Sequence, residues 1–434
     1  TDSPESVRFM SMKYQRRVID TVLDELFPGL PAIALEGAKG VGKTATASQR
    51  ASSVFSLDDP LQFEAVQANL DLIANAKPPV FVDEWQLLPP VWDRVRRAVD
   101  DTPDDAQFLL AGSAQVAPGT RIHSGAGRIV RMVMRPLAVS ERGLINPTVS
   151  LHELLAGTRP AIGGASPLTV ADYADEIVRS GFPGIRDRPE RQRRMQIDSY
   201  VDRIVDRELR DNAMLVRRPR ALRAWLAAYG AATATDAAYS RILDAATAGE
   251  DDKPARQTVD TYREHLQRIF ILDPVPAWTP TFAPLRRLTK TPKHHLVDPA
   301  IAASLAGVDK EALVRGAGTR VGASTGTWLG ALFESLVTQS VRVYATAADA
   351  EVGHLRSADT SREVDLIVEN RAQRVVGIEV KLAGTVIDHD VRHLNWLGDE
   401  LGDRLADKVV ITTGPHAYRR PDGVAVVPLA LLGP

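Results

Sequence analysis

The sequence predicts an α/β protein whose N-terminal part contains a parallel β-sheet. Apolar runs at residues 32–35, 54–57, 79–84 and 107–111 are predicted to be strands, and the segments between them have helical character. Buried strands of parallel sheets form such apolar runs because helices cover both faces of the sheet. Alternation of strand and helix then joins the parallel strands through right-handed crossovers.

A glycine-rich loop follows the first predicted strand. Gly37, four further residues and then Gly42, Lys43 and Thr44 have the spacing of a phosphate-binding loop. Glycines allow positive φ, so backbone N–H groups can turn toward phosphate oxygens. Lys43 is expected to reach the β- and γ-phosphates, and Thr44 to hold Mg²⁺. The residues predicted to contact the nucleotide are Gly37, Ala38, Lys39, Gly40, Val41, Gly42, Lys43 and Thr44.

The third predicted strand, PVFVDE, ends in two carboxylates. The carboxyl end of such a strand lies beside the phosphate-binding loop in a parallel sheet. Asp83 is expected to join the Mg²⁺ shell, and Glu84 to polarise the attacking water. An ordinary turn before a helix would also explain the glycines, but the strand before them and the acidic strand downstream favour nucleotide binding.

Some residues outside these motifs are further candidates. Ser113 ends the strand next to the acidic one and is predicted to sense the γ-phosphate, although a structural turn serine stays an alternative. Arg128 is predicted as an arginine finger, and an ordinary surface arginine is the alternative. Tyr14, Arg16 and Arg17 precede a helical stripe, where they either flank the nucleotide base or simply cover a packed helix.

Length and composition narrow the function classes. A chain of 434 residues predicts about three domains. The absence of cysteine excludes disulfides and thiolate zinc sites, and a net charge of −2 provides no overall attraction to nucleic acid. Apolar runs are shorter than a membrane span, and residues 1–13 lack the apolar core of a signal peptide, so a cytoplasmic protein without a membrane partner is expected.

Residues 219–298 are predicted to form three helices and then two strands, which is a winged-helix order. The third helix would enter a DNA major groove, and the wing would touch phosphates. The candidate contacts are Arg256, Gln257, Thr258, Thr261, Arg263 and Arg268 on the helix, with Arg286, Arg287, Lys290 and Lys293 on the wing. Asp260 and Glu264 add negative charge to the same helix, so docking to a protein partner stays open.

The C-terminal part contains a candidate metal site on a predicted hairpin. A turn centred on Ala372 would place Asp365 opposite Glu379 and Glu363 opposite Lys381, all on one side. Opposed carboxylates with a lysine can bind a divalent metal and activate water for phosphodiester cleavage. An exposed hairpin that simply pairs Glu363 with Lys381 is the alternative.

Glu334, on a helix predicted before the hairpin, would complete this site. An Asp followed by Glu-x-Lys resembles the signature of the restriction-endonuclease-like fold. A later helix at about 387–401 and a strand at 408–413 fit that fold. Whether the site is active is a separate question, since folds outlive their activities.

The chain as a whole resembles the bacterial and archaeal AAA-type ATP-binding proteins that have an uncharacterised C-terminal region. The segments that carry the resemblance are LEGAKGVGKT, VFSLDDP, VFVDEWQLLP, LLAGSA, GRIVRMVMRPLAVSE, SGFPGIRD and KTPKHHLVDPAI. An arginine is common in that group at the position of Lys39. The resemblance implies ATP as the nucleotide and also implies the winged helix.

These expectations divide the chain into a P-loop domain (1–147), a helical linker or lid (148–218), a winged helix (219–312) and a restriction-endonuclease-like domain (313–434). The predicted function is a Mg²⁺-dependent ATPase coupled to DNA-associated domains. A slow nucleotide switch for a protein partner and an ATP-regulated nuclease are the alternatives. A homo-oligomer is expected, because AAA-type domains assemble as rings or dimers.

Overall fold

The computed structural model describes residues 14–102, 104–116, 124–208, 218–248, 256–280, 291–316, 328–357 and 361–434. The fold is mixed α/β, with a parallel sheet in the N-terminal region and a mixed sheet in the C-terminal region, which confirms the predicted fold class at this level. No described helix is long and apolar enough to cross a membrane.

Five parallel strands form the N-terminal sheet in the order β2-β3-β4-β1-β5. Their bounds are β1 Ala32–Glu36, β2 Ser53–Ser56, β3 Val80–Asp83, β4 Phe108–Gly112 and β5 Ile129–Val133. Since all five strands point the same way, their carboxyl ends meet at one edge of the sheet. The glycine loop after β1, the acidic pair at the end of β3 and Ser113 after β4 therefore share that edge.

The inner strands β1, β3 and β4 are buried along their whole length because the sheet is covered on both faces. Ile33 and Leu35 of β1 join the core on one face, whereas Ala32 and Ala34 join the core on the other face. This alternation follows from the period of two along a strand. The helices of this region are α1 Val18–Leu26, α2 Lys43–Ser48, α3 Pro60–Ala68, α4 Asp71–Ala74 and α5 Pro90–Asp101.

The helix predicted at residues 61–76 is divided into α3 and α4. Asn69 has extended backbone angles, and its side-chain oxygen accepts a hydrogen bond from the backbone N–H of Asp71 at 3.0 Å. Asparagine side chains compete in this way with helical hydrogen bonds, which explains the break.

The middle of the chain is largely helical. Its elements are β6 Val149–Ser150, α6 Leu151–Leu155, α7 Val170–Arg179, α8 Pro183–Arg186, α9 Glu190–Arg203, α10 Pro219–Ala231, α11 Tyr239–Ala246 and α12 Arg256–Arg268. The two strands predicted after α12 are present only as isolated antiparallel bridges, Leu272 with Leu296 and Val275 with Lys293. The three helices thus follow the predicted order, and the two predicted strands are reduced to these bridges within the described residues, so the winged helix itself stays a prediction.

The C-terminal region contains a six-stranded mixed sheet in the order β11-β12-β10-β9-β8-β7. Its helices are α13 Pro299–Ala306, α14 Lys310–Val314, α15 Trp328–Ala347 and α16 Asp388–Leu401. Its strands are β7 Ala350–Arg356, β8 Glu363–Asn370, β9 Val375–Lys381, β10 Leu405–Thr412, β11 Tyr418–Arg419 and β12 Ala425–Pro428, and a last strand, β13 Leu432–Gly433, pairs with β6.

The hairpin register agrees with the predicted turn. Leu366 pairs with Ile378 in the antiparallel β8–β9 ladder, so Asp365 lies opposite Glu379. Helix α15 packs between this sheet and the N-terminal region. Its Ser340 hydroxyl accepts a hydrogen bond from the backbone N–H of Val139 at 3.1 Å, so the two regions are in direct contact.

Candidate functional site

The first position of the loop, Gly37, requires glycine because the chain passes close to the end of the neighbouring strand β5. A Cβ atom on Gly37 would lie 2.2 Å from the carbonyl oxygen of Met134, the residue that follows β5. Gly40 and Gly42 have φ of +85° and +105°, a region that favours glycine. The loop therefore takes a path that other residues at these positions would not allow.

Gly37→Ala is expected to lower the free energy of unfolding by about 1–3 kcal/mol, because the new methyl group must displace backbone rather than a side chain. Thermal or denaturant unfolding of the full chain measures this loss. Gly29→Ala is the matched control, since a Cβ there would meet no atom within 4 Å. Equal stability of the Gly37 variant and the control would contradict the packing described for the loop.

Lys43 folds over the loop. Its side chain is 5% exposed, and its ammonium donates to the carbonyl oxygens of Gly37 at 2.7 Å and Ala38 at 2.9 Å. A buried positive charge thus lies within the curve of the glycine loop. This arrangement can neutralise a polyanion that enters the loop.

Thr44 and Asp83 come together as the sequence predicts. The Thr44 hydroxyl donates to Oδ2 of Asp83 at 2.7 Å, and this aspartate is 8% exposed. Burial, the largest influence, raises the pKa of Asp83, and the Glu84 carboxylate raises it further, whereas the bond from Thr44 lowers it. A cation beside this carboxylate would offset the unfavourable burial of its charge.

Glu84 is held by two neighbours. It has a left-handed backbone (φ +50°), and its Oε2 accepts hydrogen bonds from the Ser113 hydroxyl at 2.8 Å and from the Gln86 side chain. Ser113, the predicted sensor, therefore lies beside the acidic pair rather than in an unrelated turn. Gln86 was not predicted from the sequence, although it follows Glu84 by only two residues at the same edge.

Two cavities flank the loop. One, of about 290 Å³, lies beside Gly42, Ala45 and Thr46 and is also lined by Tyr14 and Arg17. The other, of about 260 Å³, lies beside Lys39 and Gly40 in the middle of the loop; its other lining residues include Ser113, Phe182, Tyr200 and Ile269. Residues from the helical middle of the chain thus enclose the loop together with the N-terminal sheet.

Arg17 and Tyr200 brace the loop from outside the motif. The buried Arg17 guanidinium donates to the carbonyl oxygen of Val41 at 3.0 Å and to Glu141 Oε1 at 3.0 Å. The Tyr200 hydroxyl on α9 donates to the carbonyl oxygen of Lys39 at 3.1 Å. Arg17 is therefore a structural brace as well as a lining residue of the larger cavity.

Arg128 is not brought to the loop of its own chain. It precedes β5, so it lies at the amino edge of the sheet, and its Nε donates to Asp100 Oδ1 at 2.8 Å on the protein surface. The phosphate-binding loop is at the carboxyl edge. Arg128 therefore does not reach the loop of its own chain, and its role as a finger toward the loop of another chain stays a prediction.

The residues predicted to contact DNA have mixed outcomes. The Arg268 guanidinium donates to the carbonyl oxygen of Gln115 at 3.1 Å, and Arg263 lies 4.6 Å from the centre of the Tyr239 ring. Gln257 and Thr258 are exposed. The side chain of Arg256 and residues Arg286, Arg287 and Lys290 lie outside the described parts of the chain.

Lys293 is buried, so its expected contact with DNA phosphates is wrong in this structure. The side chain is 2% exposed, and Nζ lies 2.8 Å from Glu334 Oε1 and 3.0 Å from Asp365 Oδ1. Oε1 of Glu363 lies 3.4 Å from the same nitrogen. We call the surrounding carboxylates the acidic centre: Glu334, Glu363, Asp365 and Glu379.

Lys381, the lysine that the sequence predicts for this site, also borders the acidic centre. Lys381 lies 3.2 Å from Glu379, and Oδ2 of Asp365 accepts a hydrogen bond from the backbone N–H of Val380 at 2.9 Å. The structure therefore brings together the four residues predicted for this site, which are Glu334, Asp365, Glu379 and Lys381. Across the described ranges, no group of three or more acidic, histidine or cysteine side chains is arranged to hold a metal ion.

Electrostatics in the acidic centre follow from burial and crowding. Burial lowers the pKa of Lys293, but the surrounding carboxylates outweigh burial and hold it well above its usual value. Burial and the charge of Asp365 raise the pKa of Glu334 to about 8, despite the opposing effect of Lys293. Burial also raises the pKa of Asp365, but Lys293 and Lys381 outweigh it, so that the net shift is downward.

Comparison with known families gives matches along most of the chain. Residues 30–142 match the family model described as AAA domain. Residues 170–312 match a domain of unknown function (DUF8612), and residues 329–432 match another (DUF4143). The strand order and the glycine loop agree with the first match, and together they support an AAA-type P-loop domain in the N-terminal region.

Two curated relatives align with nearly the full length. They are the uncharacterized proteins Rv2008c of Mycobacterium tuberculosis and Mb2031c of Mycobacterium bovis, each 24% identical over 438 residues, covering 98% of this chain and 86% of the relative. Among solved structures, the Walker-type ATPase paby2304 of Pyrococcus abyssi is 14% identical, with a TM-score of 0.40, and the match covers 67% of this chain and 96% of that chain.

Proposed function

We propose that this chain is a Mg²⁺-dependent ATPase whose nucleotide state is passed to its middle and C-terminal regions. The observation that carries the proposal is the 2.7 Å contact between Thr44 and Asp83 beside the buried ammonium of Lys43. A hydroxyl, a carboxylate and a lysine at the carboxyl edge of a parallel sheet are the groups that hold a nucleotide phosphate with its metal.

The donor set fits magnesium. Thr44 and Asp83 offer oxygen atoms only, and Mg²⁺ prefers such oxygens while keeping several waters. When bound, the ion would neutralise charge on the β- and γ-phosphates. Thr44 would hold it directly, and the buried Asp83 carboxylate would orient its shell.

The two cavities suggest which way the nucleotide would be oriented in the site. The cavity beside Ala45 and Thr46 lies past the end of the loop, so it would take the base, with Tyr14 and Arg17 on its wall. The cavity beside Gly40 and Ser113 lies toward the γ-phosphate end. A change at that end would reach Tyr200 and Ile269, which belong to the helical middle of the chain.

For hydrolysis, Glu84 would accept or polarise the attacking water. Ser113 and Gln86 donate hydrogen bonds to the Glu84 carboxylate. Breaking or forming these bonds would therefore change how readily Glu84 can accept a proton from water. Ser113 thus links the position of the γ-phosphate to the position of the base.

A second candidate function follows from two residues that were predicted to contact DNA. Arg268 and Lys293 contact other parts of the chain and are not available to DNA, which leaves a slow nucleotide switch that docks a protein partner as the second candidate. In that case the C-terminal region, which we propose to be restriction-endonuclease-like from α15, the β8–β9 hairpin and α16, would serve as an inactive scaffold. The proposed ATPase domain is the same in both functions.

Measuring ATP turnover with and without DNA distinguishes the DNA-coupled ATPase from the nucleotide switch. The full chain is expected to release phosphate in Mg²⁺ and to stop in EDTA, because Thr44 and Asp83 require the metal between them and the phosphates. Adding duplex or single-stranded DNA is expected to raise turnover severalfold if the middle region engages DNA. Turnover that DNA does not change would favour the switch and exclude DNA coupling.

A further inference from the structure

Lys293 reaches the acidic centre from outside the C-terminal sheet. It belongs to the segment before α13, and its backbone pairs with Val275, with both N···O distances 2.9 Å. The same segment is fixed to α15, since Gln339 donates to the carbonyl oxygen of Val297 at 3.0 Å. The ammonium is therefore delivered into the centre by a well-anchored piece of backbone.

The Lys293 ammonium lies among carboxylate oxygens, as a bound metal cation would. Carboxylate oxygens of Glu334, Asp365 and Glu363 surround Nζ at 2.8, 3.0 and 3.4 Å. Hard divalent cations also select carboxylate oxygens, at roughly 2.0–2.6 Å. An ammonium and a divalent cation cannot share this space, because they repel each other and need the same oxygen atoms.

Burial favours a cation among these carboxylates. Glu334 and Asp365 are only slightly exposed, and buried charges of one sign are strongly unfavourable without a partner. Lys381 compensates Glu379 at the open side of the centre, where it is 34% exposed. Lys293 is left to compensate the inner carboxylates.

We propose that Lys293 is an internal cation that closes the acidic centre to divalent metal, so that a latent metal site opens only when this ammonium is removed or withdrawn. The proposal does not depend on the ATPase function, because none of its residues contacts the phosphate-binding loop. It implies that any metal-dependent activity of the C-terminal region is switched off in the arrangement described here.

The test is Mn²⁺ binding to the full chain without nucleotide, measured by the loss of the free Mn²⁺ resonance signal. Lys293→Met keeps most of the side-chain length and removes the charge. This variant is expected to bind one additional Mn²⁺ per chain relative to wild type, and Mn²⁺ is expected to raise its melting temperature. Adding Asp365→Asn to the variant is expected to abolish the additional site.

Lys381→Met is the matched control, because it removes a lysine from the same centre and leaves Lys293 in place. It is expected to gain no Mn²⁺ site. A folded Lys293→Met variant that binds no more Mn²⁺ than wild type would overturn the proposal. If that variant fails to fold, Asp365→Asn in the otherwise wild-type chain decides: unchanged Mn²⁺ binding supports a closed centre, and loss of a Mn²⁺ site refutes it.

Discussion

Replacing Lys43 by alanine is expected to lower the affinity for ATP by at least about 100-fold. The ammonium is buried inside the loop, so on ATP binding it would exchange its bonds to Gly37 and Ala38 for bonds to phosphate oxygens. Hydrogen bonds to charged groups contribute about 1.5–3 kcal/mol each, and two such bonds correspond to this loss. Calorimetric titration of the variant with ATP and Mg²⁺ measures the change.

Lys77→Ala is the control for this experiment. Lys77 is an exposed lysine that precedes β3, so it lies at the amino edge of the same sheet, away from the loop. The same change of charge there is expected to leave the affinity within twofold. Equal affinities for the Lys43 variant and wild type would show that ATP, if it binds, does so elsewhere.

Glu84→Gln is expected to keep ATP binding and to reduce turnover by about 100-fold or more, which is within the range for loss of a general base. The amide keeps the size of the side chain and can still accept from Ser113, but it cannot accept a proton from water. Single-turnover phosphate release, with binding measured on the same sample, separates the two effects.

Glu64→Gln, at an exposed position on α3, is the matched control and is expected to turn over at the wild-type rate. Full turnover by the Glu84 variant would remove Glu84 from its role. Loss of both binding and turnover would instead indicate that the left-handed turn at Glu84 collapsed.

The local features of the N-terminal region could be predicted from the sequence because they depend on neighbours in the chain. The strand before Gly37 and the strand ending at Asp83 are continuous apolar runs, and both are strands in the structure. Parallel packing then brings Thr44 and Asp83 together without further information. The β8–β9 register was predictable for the same reason, since a short hairpin determines its own pairing.

Contacts between distant segments were not predictable in this way. Lys293 was assigned to a wing by its position after α12, yet it is buried against residues that lie far along the chain. Helical periodicity also did not reveal the break at Asn69, where a side-chain hydrogen bond competes with the helix. The charge of Arg128 does not indicate its position, and the direction of β5 places it at the amino edge of its own sheet.

The most direct test of the central claim is calorimetric titration of the full wild-type chain with ATP, in Mg²⁺ and again in EDTA. The proposed site predicts saturable one-to-one binding in Mg²⁺ that weakens in EDTA and is lost in Lys43→Ala. Absence of saturable binding, or binding that the Lys43 variant retains in full, would contradict the assignment of the loop at residues 37–44 as the nucleotide site.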